Sequence, residues 1–294
     1  MSIIIYCNGD FVPEPEAKVS IFDHGFLYGD GIFEGIRAYH GRVFKLHEHL
    51  KRLYESAKSI NLKINVNIDE MQELVLETLR RNELKDAYIR LVVSRGKGNL
   101  GLDPRTCPHS AIFIIADQIT LFPASMYELG LEVKTVAIRR NNPDSLNPRI
   151  KSLNYLNNIM AKIEAYQSGV IEAVMLNQEG YVAEGTGDNI FIYKEGFLIT
   201  PPIYAGILEG VTRNTVLEIA EHLGIRTKQE LFTRHDLYSA EECFLTGTAA
   251  ELIPTIMVDS REIGQGVPGA IFKKLLAEFR ALTRINGPEI FPLC

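Results

Sequence analysis

The sequence of 294 residues contains little cysteine, no surplus of positive charge and no long apolar run. Its four cysteines lie far apart and form no C-x-x-C pair, so we expect neither a zinc ribbon nor a disulfide framework. Dispersed cysteines of this kind are typical of a reducing compartment, and we expect a cytoplasmic protein.

The formal net charge of −6 argues against the basic footprint that a nucleic-acid-binding protein needs. The longest basic runs are pairs such as Arg80-Arg81 and Arg139-Arg140, which we interpret as solvated surface. No apolar run approaches the ~20 residues that a membrane-spanning helix requires. Segment 3–6 follows no basic region and is predicted to be a strand rather than part of a signal peptide. We therefore expect no nucleic-acid partner and no membrane.

The motifs of several common sites are also missing. His47 and His49 are two residues apart and would diverge on a helix, and there is no H-E-x-x-H pair, so no metal is expected. The sequence has no G-x-x-x-x-G-K-[ST] loop and no G-x-G-x-x-G turn after a strand, which argues against the nucleotide-binding folds. No G-x-S-x-G turn is present for serine hydrolysis.

What remains is an ordinary globular composition, 46% apolar and 23% charged, in a chain long enough for two domains. Periodicity predicts strands and helices in both halves and therefore an α+β protein. We place an N-terminal domain at 1–118, a linker without a periodic element at 119–130, and a C-terminal domain at 131–294. The predicted strands cover 3–6, 19–22, 31–39, 87–94, 110–116, 131–138, 173–176, 181–184, 189–193, 197–200 and 242–246, and the predicted helices cover 46–60, 69–81, 155–168, 211–223 and 269–282.

Two turns in the C-terminal half could bind an anion. Gly210 precedes a helix that begins at Val211, and the N–H groups and dipole of a helix N-terminus favour negative charge. Segment 246–250 follows a strand, and its small residues let backbone amides approach a ligand closely. Either turn alone is explained as well by packing, but two on one domain indicate a phosphate or carboxylate site.

Other positions carry side chains that could act on such a ligand. Lys151 lies between a turn-rich loop and a helix, beside apolar residues that would favour the neutral amine needed in carbonyl chemistry. On local sequence alone, a surface lysine is the better interpretation. Glu184 ends a strand and is either solvated or faces a cavity. Tyr88 and Arg90 share one strand face, where they could bind a carboxylate or simply face solvent.

Taken together, these segments resemble the class IV pyridoxal-phosphate-dependent aminotransferases, most closely the branched-chain amino acid aminotransferases. The resemblance covers nearly the whole chain, and the ordered set of motifs is highly specific. It implies a two-domain, fold-type IV enzyme of the D-amino acid aminotransferase-like kind, with a smaller N-terminal α/β domain and a larger C-terminal domain with a pseudo-barrel. The motifs are Phe22–Arg37, His49–Leu53, Ala87–Arg90, Lys151–Leu156, Glu184–Asn189, Gly210–Arg213 and Gly247–Glu251.

The resemblance implies that Lys151 holds pyridoxal 5'-phosphate as an imine and then moves a proton between the substrate α-carbon and the cofactor. Glu184 would pair with the pyridine nitrogen and keep it protonated, so that the ring withdraws electrons. Tyr155 would contact the phenolic oxygen. The phosphate would be bound by Arg52, Thr212 and Thr248, with the amides of Val211 and Gly247 nearby.

The resemblance also implies amino acid and 2-oxo acid substrates, with leucine, isoleucine or valine exchanging amino groups with 2-oxoglutarate. Arg90 would accept the distal carboxylate of glutamate, and we expect a polar tether for it when leucine is bound. A homodimer or a dimer-based hexamer is expected. The α-carboxylate would be held by Tyr88 and the amides of Thr248 and Ala249, and the apolar pocket would include Phe33 and Tyr28, with Tyr28 reaching across a dimer interface.

Alternatives remain open at this point. The interval from Lys151 to Tyr155 is one residue shorter than in some bacterial branched-chain enzymes and resembles that of archaeal-type and D-amino acid relatives. A D-amino acid or (R)-amine aminotransferase, or a lyase such as aminodeoxychorismate lyase, would use the same fold. A non-catalytic vitamin-binding or assembly protein is an alternative of a different class, against which the presence of Lys151 and Glu184 argues.

Overall fold

The structure is a computed structural model that describes residues 2–118 and 123–292. The chain forms two compact units. The first comprises Met1–Ile119, Ile150–Asn154 and Leu282–Cys294, and the second comprises Thr120–Arg149 and Tyr155–Ala281. The linker at 119–130 stays a prediction, since residues 119–122 lie outside the described residues and a short helix occupies 124–129.

The first unit is built on one antiparallel sheet. Its strands are β1 (Ile4–Cys7), β2 (Asp10–Pro13), β3 (Gly31–Tyr39), β4 (Arg42–Val43), β5 (Ala87–Ser94) and β6 (Ala111–Asp117), and its helices are α1 (His24–Tyr28), α2 (Leu46–Ser59) and α3 (Ile68–Arg81). The six strands follow the order β2-β1-β6-β5-β3-β4. Short 3₁₀ helices occupy Glu14–Glu16 and Pro104–Thr106.

Alternation along β3 and β5 gives this sheet two different faces. One face carries Ile32 and Ile36 into an apolar core shared with α2 and α3. Burial of each such side chain contributes roughly 1.5–3 kcal/mol. The opposite face carries Phe33 of β3 with Tyr88 and Arg90 of β5. We call this second surface the Phe33 face.

A distant segment, residues 150–154, extends this sheet along β3. Ser152 forms an antiparallel bridge with Ile32, and the Phe33 N–H donates to the Lys151 carbonyl at 3.0 Å. This edge of β3 is open to the segment because β4 pairs only with the far end of the strand. Antiparallel partners project to the same face, so the pairing puts Lys151 on the Phe33 face.

The second unit is built on a larger, mixed sheet. Its strands are β7 (Leu131–Thr135), β8 (Glu172–Leu176), β9 (Val182–Gly185), β10 (Asn189–Lys194), β11 (Phe197–Thr200), β12 (Thr227–Gln229), β13 (Glu242–Gly247), β14 (Glu251–Val258) and β15 (Arg261–Glu262), and its helices are α4 (Ala124–Leu129), α5 (Leu156–Gln167), α6 (Val211–His222), α7 (Arg234–Tyr238) and α8 (Ala270–Thr283). The order is β12-β11-β10-β13-β14-β7-β8-β9, with β15 paired to β14. A 3₁₀ helix occupies Ile203–Ala205. Strand β7 runs parallel to both of its neighbours, β14 and β8.

The structure departs from the predicted elements in two informative places. The predicted strand 19–22 is wrong: these residues lead through a turn into α1, where the side chain of Asp23 accepts from the Gly25 N–H as an N-cap. Strand β14 was not predicted, because Pro254 interrupts its apolar run and proline is unusual inside a sheet. The strand accommodates Pro254 because pairing with β7 begins one residue later, at Thr255.

In the parts of the chain that the structure describes, no helix is both long and apolar enough to cross a membrane.

Candidate active site

Lys151 is held in place by backbone pairing with β3 and lies outside α5, the helix that follows it. Its carbonyl accepts from the Phe33 N–H, and its own N–H donates to the Ser56 hydroxyl at 3.3 Å. The side-chain Nζ lies 4.5 Å from the centroid of the Phe33 ring, which is cation–π distance. Gly31 makes room for this pairing, since a Cβ there would press against the side chain of Leu153.

Tyr88 and Arg90 share one face of β5, as predicted, and they contact each other. Arg90 Nη2 donates to the Tyr88 hydroxyl at 3.1 Å, and its guanidinium carbon lies 4.6 Å from the centroid of the Phe33 ring. Gly35 lies opposite Arg90, and a Cβ at that position would collide with the Tyr88 hydroxyl. A phenol and an aromatic face thus hold the guanidinium on the Phe33 face.

Arg52 lies on α2 and contacts a carboxylate on the core face of β3. Its Nε donates to Glu34 Oε1 at 2.8 Å and its Nη2 donates to Glu34 Oε2 at 2.7 Å. The ring of His49 adds a third hydrogen bond to Glu34, from Nδ1 to Oε2 at 2.8 Å. Burial alone would raise the pKa of Glu34, but Arg52 and the His49 hydrogen bond hold it at about 2. Burial lowers the pKa of His49, although Glu34 opposes this effect.

Tyr28 lies at the end of α1 and is exposed. Its hydroxyl donates to the carbonyl of Leu100 at 2.6 Å, and its ring packs edge-on against His24 at a centroid distance of 5.0 Å. His24 in turn contacts the carbonyl of Asn99 through Nε2 at 2.8 Å. Tyr28 is thus tied to the loop that follows β5.

In the second unit, Glu184 is the most completely anchored of the predicted residues. It is 4% exposed at the end of β9. Arg140 Nε donates to its Oε1 at 2.7 Å, while Asn189 Nδ2 and the Leu208 N–H donate to its Oε2 at 3.1 and 3.0 Å. Arg140 is also buried and donates to Asn157 Oδ1 at 3.0 Å. A carboxylate bound to a guanidinium in this way is kept ionised.

The first turn of α6 has the features of an anion site. Its N-cap residue, Gly210, supplies no side-chain cap, and the turn carries no acidic residue. Thr212 is buried on this turn, and the neighbouring Arg213 is buried with Nη2 on Gln229 at 2.9 Å. Burial lowers the pKa of Arg213 to about 10 against the opposing effect of Glu209, so the side chain keeps its charge at neutral pH. Helix dipole and buried cation both favour negative charge here.

A second small-residue turn follows β13. The hydroxyl of Thr246 is buried and has no hydrogen-bond partner among the described residues. A Cβ on Gly247 would collide with the carboxylate of Asp188, so glycine is required at this point. Thr248 and Ala249 are half-buried in the turn. The turn therefore combines a buried hydroxyl, a glycine and adjacent backbone amides.

Asn189 links the pieces of this site. It lies opposite Thr246 in the pairing of β10 with β13, and its Nδ2 contacts both Glu184 and the Leu208 carbonyl. A Cβ on Gly210 would collide with its Oδ1. The carboxylate, the start of α6 and the end of β13 thus meet around one amide. Tyr155 is half-buried at the start of α5, in the same unit.

Sequence reasoning missed the groups that hold the predicted residues in place. Arg140 was interpreted as surface, and this is wrong, because the side chain is buried against Glu184. Glu34, His49 and Asn189 were seen only as members of motifs. The available signal for Glu34 was a carboxylate at an inward position of an apolar strand, which requires a partner.

Comparisons with known proteins agree with this arrangement. Residues 31–256 match the family model of the class IV amino-transferases. A Methanocaldococcus jannaschii protein, named provisionally as a branched-chain-amino-acid aminotransferase, is 53% identical over 98% of this chain and 99% of its own length. The crystal structure of the Escherichia coli branched-chain amino acid aminotransferase has a TM-score of 0.94 at 33% identity, over 98% of this chain and 97% of that one. The T.th. branched-chain amino acid aminotransferase, solved in complex with N-(5'-phosphopyridoxyl)-L-glutamate, has a TM-score of 0.91 at 36% identity, over 98% of this chain and 96% of that one.

The chain belongs to the class IV aminotransferase family. The predicted family, the α+β fold of the fold-type IV enzymes and the assignment as an enzyme are confirmed. The D-amino acid aminotransferase and lyase alternatives are not favoured, since these relatives are named as branched-chain amino acid aminotransferases.

Proposed function

We propose that the chain catalyses reversible amino transfer between leucine, isoleucine or valine and 2-oxoglutarate, using pyridoxal 5'-phosphate bound at Lys151. The observation that carries this proposal is the composition of the Phe33 face. There Lys151 Nζ and the Arg90 guanidinium both lie over the ring of Phe33, at 4.5 and 4.6 Å, and Tyr88 anchors the arginine. Such a surface can accept a branched apolar side chain and an acidic side chain in turn.

The donor set fits the cofactor. A buried, ionised Glu184 suits a protonated pyridine nitrogen, and the unsatisfied hydroxyl of Thr246 suits a polar ligand beside it. The uncapped first turn of α6, with Thr212 buried on it, suits a phosphate. The T.th. relative was solved with a phosphopyridoxyl group joined to L-glutamate, which supports both ligands for this chain.

The site residues take roles according to their chemistry. Lys151 holds the cofactor covalently, Glu184 pairs with the pyridine nitrogen, and Tyr155 contacts the phenolic oxygen. The phosphate is bound by Arg52, Thr212 and Thr248 and by the amides of Val211 and Gly247. When bound, the cofactor supplies the covalent attachment for the amino group and an electron sink.

The protein supplies binding and proton movement. Lys151 Nζ would take the proton from the α-carbon of the amino acid and deliver it to the cofactor, and it would move a proton from the cofactor to the α-carbon when the 2-oxo acid reacts. Arg140 and Asn189 keep Glu184 ionised and oriented, so that the pyridine nitrogen stays protonated.

Substrate recognition divides between a common and a variable part. Tyr88 and the amides of Thr248 and Ala249 hold the α-carboxylate that all substrates share. Phe33 and Tyr28 contact the apolar side chains of leucine-like substrates. Arg90 binds the distal carboxylate of glutamate and returns to its tether on Tyr88 when that carboxylate is absent.

A single-turnover screen tests the substrate assignment. Protein loaded with pyridoxal 5'-phosphate is mixed separately with L-leucine, L-glutamate and D-alanine, and the released 2-oxo acid is quantified by chromatography. We expect one equivalent of oxo acid from L-leucine and from L-glutamate and none from D-alanine. Release from D-alanine alone would show that the substrate assignment is wrong.

We also propose a homodimer or dimer-based hexamer in the cytoplasm. Helix α5 exposes a stripe of apolar side chains at helical spacing, each 44–74% exposed. A contiguous exposed apolar patch of this kind is typical of a protein–protein interface. The stripe comprises Leu156, Ile159, Met160, Ile163 and Tyr166. The dispersed cysteines support a reducing compartment. Light scattering across a dilution series measures the assembly, and a monomer at all concentrations would contradict it.

A further inference from the structure

Two side chains hold Arg52 although neither has a role in the reaction as proposed. They are Glu34 of β3 and His49 of α2, which we call the Arg52 clamp. Glu34 receives Nε and Nη2 of Arg52 on its two oxygens at 2.8 and 2.7 Å, and His49 Nδ1 lies 2.8 Å from Oε2. Because an ionised carboxylate only accepts hydrogen bonds, His49 carries a proton on Nδ1.

The geometry of the clamp fixes an orientation as well as a distance. Two parallel hydrogen bonds to one carboxylate define the plane of the guanidinium, which a single bond does not. His49 precedes Arg52 by one helical turn on α2, so both donors come from one face of a rigid element. Glu34 and His49 are buried, and the side chain of Arg52 is 11% exposed, so the hydrogen bonds lie in a largely buried environment.

The fold alone does not account for the clamp. Ile32 and Ile36, two residues to either side of Glu34 on the same strand face, belong to the apolar core. Buried ion pairs can often be replaced by apolar residues without loss of stability, because removing charges from water is costly. The presence of Glu34 and His49 at this position therefore indicates that the state of Arg52 matters in itself.

We propose that Glu34 and His49 are positioning residues that orient the Arg52 guanidinium for the cofactor phosphate. This inference rests on the proposed phosphate role of Arg52. Glu34 also has an effect of the opposite sign, because a carboxylate beside Arg52 weakens the attraction between Arg52 and any nearby anion. The Arg52 clamp therefore orients the guanidinium but weakens its electrostatic attraction for the phosphate.

The two effects of Glu34 have opposite signs in the variant Glu34→Gln. Loss of the negative charge strengthens phosphate binding if Arg52 acts as a simple point charge. The glutamine amide, however, has only one accepting oxygen and turns N–H groups toward one of the two Arg52 donors, so the paired hydrogen bond becomes a single one and the orientation is lost. Weaker phosphate binding in Glu34→Gln is thus expected only if orientation matters.

The experiment compares the binding of pyridoxal and pyridoxal 5'-phosphate to cofactor-free protein by equilibrium dialysis. Both ligands form the same attachment, so the dissociation constant of pyridoxal divided by that of pyridoxal 5'-phosphate isolates the phosphate. We expect Glu34→Gln to lower this ratio by about tenfold, which equals about 1.4 kcal/mol. His49→Phe keeps the Arg52 pair but removes one donor, and we expect about a threefold decrease.

The matched control is Asp30→Asn. Asp30 forms the same side-on pair with Arg95, at 2.9 Å for both bonds, in the same unit. We expect this variant to leave the ratio within about twofold of the unaltered protein. A similar fall in the control would mean that loss of any such pair disturbs binding, and it would overturn the proposal.

Variants of Arg52 separate the outcomes. If Arg52→Met leaves the ratio unchanged, the phosphate role in the proposed function is wrong. If Arg52→Met lowers the ratio but Glu34→Gln leaves it unchanged or raises it, the positioning role is wrong. A lysine has no fork to orient and acts as a point charge, so Glu34→Gln should leave the ratio unchanged or raise it in an Arg52→Lys background, and a decrease there would mean that Glu34 acts through the fold. Should Glu34→Gln not fold, His49→Phe decides, and an unchanged ratio in it overturns the proposal.

Discussion

Each of the two units contains a glutamate–arginine pair with a buried carboxylate, and the pairs are built in opposite ways. In the first unit Glu34 binds Arg52 through two parallel hydrogen bonds and a third from His49, so the carboxylate holds the arginine. In the second unit Glu184 takes one bond from Arg140, one from Asn189 and one from a backbone N–H, so its surroundings hold the carboxylate.

The difference indicates which partner faces the ligand. A pair that orients its arginine suits an anionic group, and a pair that orients its carboxylate suits a protonated nitrogen. The same two residue types are thus arranged to present opposite charges in the two units.

The largest effect is expected at Lys151, whose amine lies on the Phe33 face. Lys151→Ala removes both the covalent attachment and the proton-carrying group, so we expect transamination to fall by about 10,000-fold or more. Turnover of L-leucine measured with excess cofactor checks this. Turnover near that of the unaltered protein would show that Lys151 neither holds the cofactor nor carries the proton.

Two variants disrupt the pair of Glu184 and Arg140 in the second unit to different extents. Glu184→Gln cannot keep the pyridine nitrogen protonated, and we expect kcat to fall by roughly 100-fold with little change in KM. Arg140→Met leaves the carboxylate in place with Asn189 and the Leu208 N–H as donors, and we expect roughly a tenfold loss. Steady-state kinetics with L-leucine measures both. A larger loss in Arg140→Met than in Glu184→Gln would contradict the view that Arg140 acts through Glu184.

The Phe33 face separates acidic from apolar substrates. Arg90→Ala removes the group for the distal carboxylate, so we expect kcat/KM for L-glutamate to fall roughly 10- to 100-fold more than for L-leucine. Tyr88→Phe is the matched variant, and it should lower kcat/KM for both amino acids by similar factors. Equal losses for both substrates in Arg90→Ala would place this arginine on the α-carboxylate or in the fold.

The smallest effect concerns the pH dependence of stability in the first-unit pair. The pKa of His49 is lowered in the folded protein by burial, so below its ordinary value of 6.5 the unfolded chain binds a proton that the folded one does not. Stability therefore falls as pH decreases from 6.5, at up to about 1.4 kcal/mol per pH unit for one proton. Glu34, with a pKa of about 2 against 4.5, adds a further loss as pH falls from 4.5 toward 2.

Urea unfolding of the cofactor-free protein at pH 7.5 and 5.5 measures the His49 contribution. The difference in unfolding free energy between the unaltered protein and His49→Phe should be smaller at pH 5.5. A difference that does not change with pH would show that His49 titrates alike in both states.

Some elements could be predicted because local pattern and fold agree. Strands β3 and β5 have the predicted bounds, since their apolar alternation is undisturbed and both sheet faces use it. Strand β14 could not be found in this way, because the register that tolerates Pro254 depends on β7, more than a hundred residues away in the chain. Helix α1 is five residues long and depends on its Asp23 cap rather than on periodicity.

The family motifs predict the reacting groups of the site, and this stays a prediction, but the motifs do not indicate the residues that hold those groups in place. Lys151, Glu184 and Arg90 belong to ordered motifs that no single segment would justify. Arg140 lies in a turn-rich stretch, and its partner is 44 positions later, so no local rule distinguishes it from its exposed neighbour Arg139. Burial and partnership at such distances arise only when the strands come together.

The pairing of residues 150–154 with β3 also constrains how this chain tolerates changes in length. Insertions or deletions in the loop at 141–149 can be absorbed without moving the amine, because the register of the later segment is set by its bridge from Ser152 to Ile32. One residue added between Lys151 and Ser152 would turn the lysine to the opposite side of the sheet, toward the apolar core. Functional variants should therefore tolerate insertions and deletions in the loop at 141–149 but not within residues 150–154.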